Sequence, residues 1–351
     1  MSRWNNPWGA WQQPGRPRLG VALGAGGVRG AAHVGALREL AAAGLRPSVY
    51  AGSSAGALVG SIAASGYDLE RLWQEMTELK ASSLYDMDSF PALIRGLAQA
   101  ALDAAGKDLR LRRAPGGIFR GDALGRFVRD HAGTEAFSEL PDLLVVVATD
   151  VQTGERVAIT RHDLVPQIAA RLASWPGRRR SARYGETEAV TMGEGQARVA
   201  AQEALPATVV LSDIPVSVAV RASAAIPVVF QPVRLGDRVL VDGGVTSYLP
   251  ADLAFAAGAN VVVAIDLGPD ATVEEPVDSL LEVGMRALDI MGRTSTDLQL
   301  SFWSQAVGSR LIVVRPFPQG AGRMDLVETG EAGAAAMRRA LPLVRRSLQV
   351  L

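Results

Sequence analysis

Three short segments carry residue types that could do chemistry together. Gly52-Ser53-Ser54-Ala55-Gly56 is a Gly-x-Ser-x-Gly sequence, set between an apolar run and the helical pattern ALVGSIAASG. In that strand-to-helix context the flanking glycines permit a sharp turn that presents the middle hydroxyl, so Ser54 is a candidate nucleophile. Ser53 is out of frame and reads as a turn residue; a plain Gly/Ser turn is the structural alternative for the whole pentapeptide. Gly24-Ala25-Gly26-Gly27-Val28-Arg29-Gly30 is a second glycine loop between a strand and a helix. Bared backbone N–H groups at a helix N-terminus attract an anion, either a cofactor phosphate or a transient oxyanion. A dinucleotide fingerprint counted from Gly24 puts Arg29 where the last glycine belongs, and no acid follows about 20 residues on, near Tyr50. A Walker A loop fails too, because no Gly-Lys-Ser/Thr follows.

A serine nucleophile needs a base. The chain has three histidines, His33, His131 and His162, and no cysteine, which excludes thiolate catalysis, disulfides and Cys-ligated metal sites. The histidines match no metal-ligand spacing. His131 and His162 end no convincing core strand, and His33, inside the first helix, reads as a packed or hydrogen-bonded helix residue. The better base is Asp242, which ends the strand Arg238 to Val241 and opens the third segment, Asp242-Gly243-Gly244. A carboxylate there can approach another backbone closely, whereas an ordinary Asp-Gly turn is the structural alternative.

These segments need elements to hold them. RLGVALG (18–24), SVYAG (48–52), LLVVVATD (143–150) and NVVVAIDL (260–267) are short apolar runs suited to strands covered on both faces. They alternate with helical patterns such as Ala31–Ala43, so the fold class is α/β with a largely parallel sheet. A hairpin around Gly236 and Asp237 leads into RVLVDGG, and Glu328–Leu348 reads as a helix whose Arg338, Arg339, Arg345 and Arg346 complement its dipole. Phe90, Leu93, Ile94, Leu97, Ala101, Leu102 and Ala105 follow helical spacing and form a core-facing stripe, with a membrane-contact face as the alternative. No internal repeat is visible.

The 351 residues are 48% hydrophobic and 21% charged, enough apolar material for a core, with 36 basic against 36 acidic residues. That zero net charge removes the whole-chain basic signature of most nucleic-acid binders. Residues 1–17 form a Trp- and Pro-rich leader bearing Trp4, Trp8 and Trp11, read as a disordered tail or, alternatively, an interfacial anchor. The leader lacks the apolar stretch of a secretory signal and no run reaches ~18 apolar residues, so a soluble, cytoplasmic chain is expected, with peripheral membrane contact at most. Residues 165–207 look like a polar insertion without strand periodicity, in which Arg171, Arg178, Arg179, Arg180 and Arg183 precede Glu186, Glu188 and Glu194. A solvated loop is expected there; an active-site flap or an anionic-lipid contact is the alternative.

Gly26-Gly27-Val28-Arg29-Gly30 followed by AAHVGAL, Gly52-Ser53-Ser54-Ala55-Gly56, RASAAIP and Asp242-Gly243-Gly244, in this order, together resemble the patatin-like phospholipase family. The resemblance covers residues 18–267 apart from the polar insertion and leaves 268–351 as a mainly helical extension packed on the same domain. It implies a three-layer α/β sandwich with a mostly parallel central sheet and a nucleophile elbow at Gly52 to Gly56. It also implies a Ser54–Asp242 dyad without histidine, in keeping with the histidine shortage. The family's glycine loop usually has glycine where Ala25 stands. Acyl-ester hydrolysis is the expected chemistry, on a lipid or other ester, with Gly26 and Gly27 N–H groups as the oxyanion hole and no metal or organic cofactor. Arg29 and Gly30 support the loop, Arg29 either by holding it or by meeting a lipid phosphate. A catalytically silent membrane-surface scaffold of the same fold, and a nucleotide-binding protein, are the competing readings; the oligomeric state leaves no trace in the sequence.

Overall fold

The strand β1 (Leu19–Leu23) is buried at every residue, as an apolar run without polar alternation requires of a strand covered on both faces. The computed structural model describes residues 17–78, 117–174, 190–193, 195–199, 206–268, 277–278, 280–317 and 325–351. The tryptophans of the leader, the stripe from Phe90 to Ala105 and the charged residues Arg178, Arg179, Arg180, Arg183, Glu186, Glu188 and Glu194 lie outside them. After β1, a 3₁₀ turn over Gly27–Gly30 leads into α1 (Ala31–Ala42), and the unit repeats as β2 (Val49–Ser53) and α2 (Ala55–Ala64), followed by α3 (Leu69–Glu78). Next come β3 (Gly117–Phe119), α4 (Asp122–Ala132), β4 (Leu143–Asp150), β5 (Arg156–Ile159), α5 (Val165–Ala173), β6 (Val190–Gly193), β7 (Gln196–Val199) and β8 (Thr208–Leu211). The chain continues through α6 (Val216–Ser223), β9 (Val228–Phe230), β10 (Val233–Leu235), β11 (Arg238–Asp242), α7 (Ala251–Ala256), β12 (Val261–Ile265), α8 (Leu280–Val307), β13 (Leu311–Val314) and α9 (Leu326–Gln349).

Among the described residues eleven strands form one sheet, ordered β13-β12-β1-β2-β4-β5-β8-β7-β6, with β11 also on β4 and β10 on β11. The stretch from β13 to β4 is parallel throughout. One face packs side chains such as Val34, Leu37, Ile62 and Val220 from α1, α2 and α6; the other packs Ile168, Leu253 and Trp303 from α5, α7 and α8. The fold is therefore a three-layer α/β sandwich with a mostly parallel central sheet.

The register of β4 positions the chemistry. Ser53, the last residue of β2, pairs with Val147, and the next residue of β4, Ala148, pairs with Asp242 at the end of the antiparallel β11. Two strands whose last residues, Ser53 and Asp242, lie 189 positions apart in sequence thus end side by side on one edge of β4. The hairpin expected at Gly236 is β10–β11, with Leu235 opposite Arg238 and Gly236 in the left-handed region at φ 57°.

Residues 165–207 differ from the expected polar segment. Val165–Ala173 is a helix that buries Val165, Ile168, Ala169 and Leu172, and Gln196–Val199 pairs with β8, so the sheet runs on through this region. The apolar positions of α5 were overshadowed by the neighbouring arginines, and β6 and β7 are too short for alternation to register. The C-terminal portion consists of two long helices with β13 between them, which joins β12 in parallel. Its last helix starts at Leu326, two residues before the expected Glu328, since Asp325 caps it with Glu328 completing a capping box. That helix lies directly on α1: a Cβ on Gly35 would stand 1.9 Å from the Gly330 carbonyl oxygen, and one on Gly333 2.0 Å from that of Ala32.

Candidate active site

Ser54 sits at the turn between β2 and α2 with φ 54° and ψ −119°, a conformation rarely adopted by a residue with a side chain. Its neighbours show why the turn requires glycine. A Cβ on Gly52 would fall 2.4 Å from the Gly56 carbonyl oxygen, and one on Gly56 2.1 Å from that of Leu23. Strain of this kind persists only where surrounding contacts fix it. One such contact is the Ser54 N–H, which donates to Ser223 Oγ at 2.9 Å, both residues being buried.

The Ser54 hydroxyl donates to Asp242 Oδ2 at 2.6 Å. The other carboxylate oxygen, Oδ1, accepts from the Gly244 N–H at 2.7 Å, so the Asp-Gly-Gly turn orients the carboxylate that it carries. Gly243 is glycine because a Cβ there would stand 2.2 Å from the Val147 carbonyl oxygen. Thr149 Oγ1 donates to the Asp242 carbonyl at 2.9 Å, and the Asp242 N–H donates to the Ala225 carbonyl at 2.9 Å. Burial pushes the Asp242 carboxyl up to about 6, against the lowering effect of its bonds from Ser54 and Gly244.

The segment Ser223-Ala224-Ala225, at the end of α6, therefore holds the backbones of both Ser54 and Asp242. Sequence reasoning found RASAAIP as a motif but assigned no role to Ser223. The available signal was a hydroxyl residue in an apolar helix, which alone does not say what it binds.

The glycine loop lies against the same turn. Gly30 packs on Ala55, where an added Cβ would approach the Ala55 Cβ to 2.8 Å. Among the described residues no hydrogen bond engages the N–H groups of Gly26 and Gly27, which head the 3₁₀ turn. Gly27 has φ 55° and open space beyond its Cα. Ala25 is accommodated because Gly244 lacks a side chain: a Cβ on Gly244 would sit 3.2 Å from that of Ala25. The Ala25 N–H donates to the Tyr248 carbonyl at 2.8 Å. Arg29 donates through Nη1 to the Gly268 carbonyl at 2.7 Å, which links the loop to the backbone after β12.

None of the three histidines bonds to Ser54 or Asp242. His33 is fully buried and its Nε2 lies 2.8 Å from the Gly24 carbonyl oxygen, to which the neutral ring donates. Burial pushes its imidazole down to about 4, outweighing that bond. His131 is engaged by Glu75 and by the Phe127 carbonyl, and His162 by Asp213 on the surface.

Ser54 opens into a cleft of ≈ 950 Å³, counted out into open solvent, that also contacts Gly27. Its walls include Leu58, Val59, Leu72, Met76, Phe127 and Ile226, and Ser54 contributes the only polar side chain among the described residues lining it. The described residues of this cleft offer no counter-charge to a dinucleotide. No helix among the described residues is long and apolar enough to cross a membrane.

Comparison with known proteins finds relatives of low identity. An uncharacterized NTE family protein of Mycobacterium tuberculosis is 27% identical over 254 residues, which cover 72% of this chain and 49% of that protein. The chain thus spans about half the length of that relative. YqhO, an uncharacterized protein of Bacillus subtilis, is 27% identical over 252 residues, 70% of this chain and 69% of its own. Among solved structures, VipD from Legionella pneumophila matches with a TM-score of 0.46 at 14% identity, over 95% of this chain and 67% of that one. The family model for patatin-like phospholipase matches residues 21–255, which takes in the glycine loop, the serine elbow and the Asp-Gly-Gly turn. The chain belongs to the patatin-like phospholipase family.

Proposed function

We propose that this protein is a lipid acyl hydrolase in which Ser54 is the nucleophile, Asp242 the base and the Gly26 and Gly27 N–H groups the oxyanion hole. The observation that carries the reading is the 2.6 Å hydrogen bond from the Ser54 hydroxyl to Asp242, made at a strained turn facing an apolar cleft. The Ser54 proton passes to Asp242 Oδ2 as Oγ attacks the ester carbonyl. The tetrahedral oxyanion is met by the loop donors, which need no reorganisation at that moment. Collapse expels the alcohol, which takes the proton back from Asp242, and water then releases the acid by the same route. The apolar walls suit the acyl chain, and the one polar side chain among the described lining residues is the one that reacts. No step calls for a metal or an organic cofactor.

The test is covalent capture. A fluorophosphonate probe is expected to add its phosphonyl group to the peptide containing Ser54, read by mass, with p-nitrophenyl butyrate hydrolysis lost in proportion. Labelling elsewhere, with hydrolysis retained, rejects the assignment.

The rate should also report the carboxylate. Only ionised Asp242 accepts the proton, so kcat/KM is expected to fall about tenfold per pH unit below about 6 and to be flat from there to pH 8. His33, neutral throughout that range, adds no limb. A profile that bends instead near 7 and moves when His33 is replaced counts against Asp242 as the base.

A further inference from the structure

The glycine loop is held from outside the segment that the family model matches. Arg29 Nη1 donates to the Gly268 carbonyl at 2.7 Å. The Gly268 N–H donates to Asp266 Oδ1 at 3.0 Å, and Asp266 Oδ2 accepts from Arg315 Nε at 2.8 Å. Arg315, just past β13, reaches Asp297 on α8 with Nη2 at 2.9 Å. Asp266, Gly268, Asp297 and Arg315 all lie beyond residue 255, where the family match ends. Leu267, in the middle of the tether, packs under the loop, where a Cβ on Gly26 would come within 2.7 Å of Leu267 Cδ1. A second contact runs parallel to this chain: Tyr248, whose carbonyl accepts the Ala25 N–H, lies beneath Gly292 of α8, where a Cβ would stand 3.0 Å from the Tyr248 ring.

Four of the seven residues from Gly24 to Gly30 are glycine, so the loop has much backbone freedom to lose. Donors that must be in place before charge develops cannot be left free. Asp266 is suited to fixing them because it is only 5% exposed, presents one oxygen to the tether and has the other neutralised by a guanidinium. The bond from Arg29 to Gly268 is itself charge-assisted, so the relay has an ionic hydrogen bond at each end.

We infer that Asp266 and Arg315 are positioning residues for the oxyanion loop, acting through Gly268 and Arg29, so that α8 and β13 complete an active site whose reacting groups all lie upstream. The inference rests on the reading of Gly26 and Gly27 as oxyanion donors. Arg29 is thereby a tether to this protein's own backbone.

The experiment uses the full chain with Arg29→Met, Asp266→Asn, Arg315→Met and the double variant Arg29→Met/Asp266→Asn. Amide hydrogen exchange at residues 24–30 is expected to quicken about tenfold in each, while exchange across Ala55–Ala64 stays as in wild type. With p-nitrophenyl butyrate, kcat is expected to fall about tenfold with KM within about twofold, and the double variant to lose no more than Arg29→Met alone. Unchanged exchange at 24–30 in Asp266→Asn and Arg315→Met overturns the relay, as do losses that multiply in the double variant. Should Asp266→Asn not fold, Arg315→Met decides, since that side chain is half exposed and its loss leaves the core intact. The exchange arm needs no turnover. A wild type that hydrolyses no ester and takes no fluorophosphonate therefore rejects the hydrolase reading alone, and the relay is still judged by exchange.

Discussion

Replacing Ser54 by alanine is expected to lower ester hydrolysis by about 10⁴-fold or more while leaving the protein folded. The size follows from what is removed. Without Oγ no acyl-enzyme forms, and the loop donors and the cleft are left to assist a bare water attack that has no positioned nucleophile. The fold survives because the elbow does not depend on the hydroxyl. Its turn is set by the close approaches at Gly52 and Gly56 and by the Ser54 N–H bond to Ser223, all of which alanine keeps. Alanine does take one hydrogen bond from Asp242, which retains the Gly244 N–H, so the carboxyl should titrate higher than in wild type. Circular dichroism and a urea melt alongside the rate assay check both halves. Hydrolysis within about tenfold of wild type by a folded Ser54→Ala protein removes Ser54 from the mechanism.

The contrast between what the residues disclosed and what they hid has a physical basis. β1, β2, β4 and β12 were legible because strands covered on both faces cannot alternate and so leave short continuous apolar runs. Ser54 and Asp242 were legible because backbone close approach admits nothing but glycine beside them. Their meeting was not legible from spacing, since it depends on Val147 and Ala148 occupying adjacent positions of one strand whose edge both β2 and β11 use. Ser223, Asp266 and Arg315 stayed hidden for a related reason. Ser223 bonds to Ser54 and Arg315 to Asp266 across long stretches of sequence, and Asp266 meets the loop only by way of Gly268 and Arg29, so a lone serine, aspartate or arginine has no local pattern that announces its partner. The helix over 165–173 was masked differently: four buried apolar residues are a short signal next to a run of arginines and glycines.

Asp242→Asn is expected to be inactive by about 10³-fold or more and yet more stable than wild type at neutral pH. The rate falls because an amide cannot accept the Ser54 proton. The gain in stability follows from the same burial that tunes the base. In the unfolded chain the carboxyl ionises near 3.9, whereas in the fold burial raises it to about 6. Between those values the folded protein holds a proton that the unfolded chain has released, so stability falls as pH rises through this window. The cost is complete above about 6 and amounts to roughly 2–3 kcal/mol. Asparagine has the same shape and no charge to desolvate. Its Oδ1 can accept from the Gly244 N–H as the carboxylate does, and its Nδ2 can donate to Ser54 Oγ in place of the bond that Ser54 now gives. The variant should therefore match wild type near pH 4 and exceed it by roughly 2 kcal/mol at pH 7.5, with the difference opening between the two values. His33 contributes with the opposite sign, since its lowered imidazole removes stability as pH falls from about 6.5 toward 4, but it is common to both proteins and cancels from the comparison. Urea unfolding of the pair at pH 4.5 and 7.5 measures the effect. An asparagine variant less stable than wild type at pH 7.5 would mean that the carboxylate is stabilised in place rather than held there at a cost. Asp242 would then be a structural cap of its own turn and not a base poised by burial.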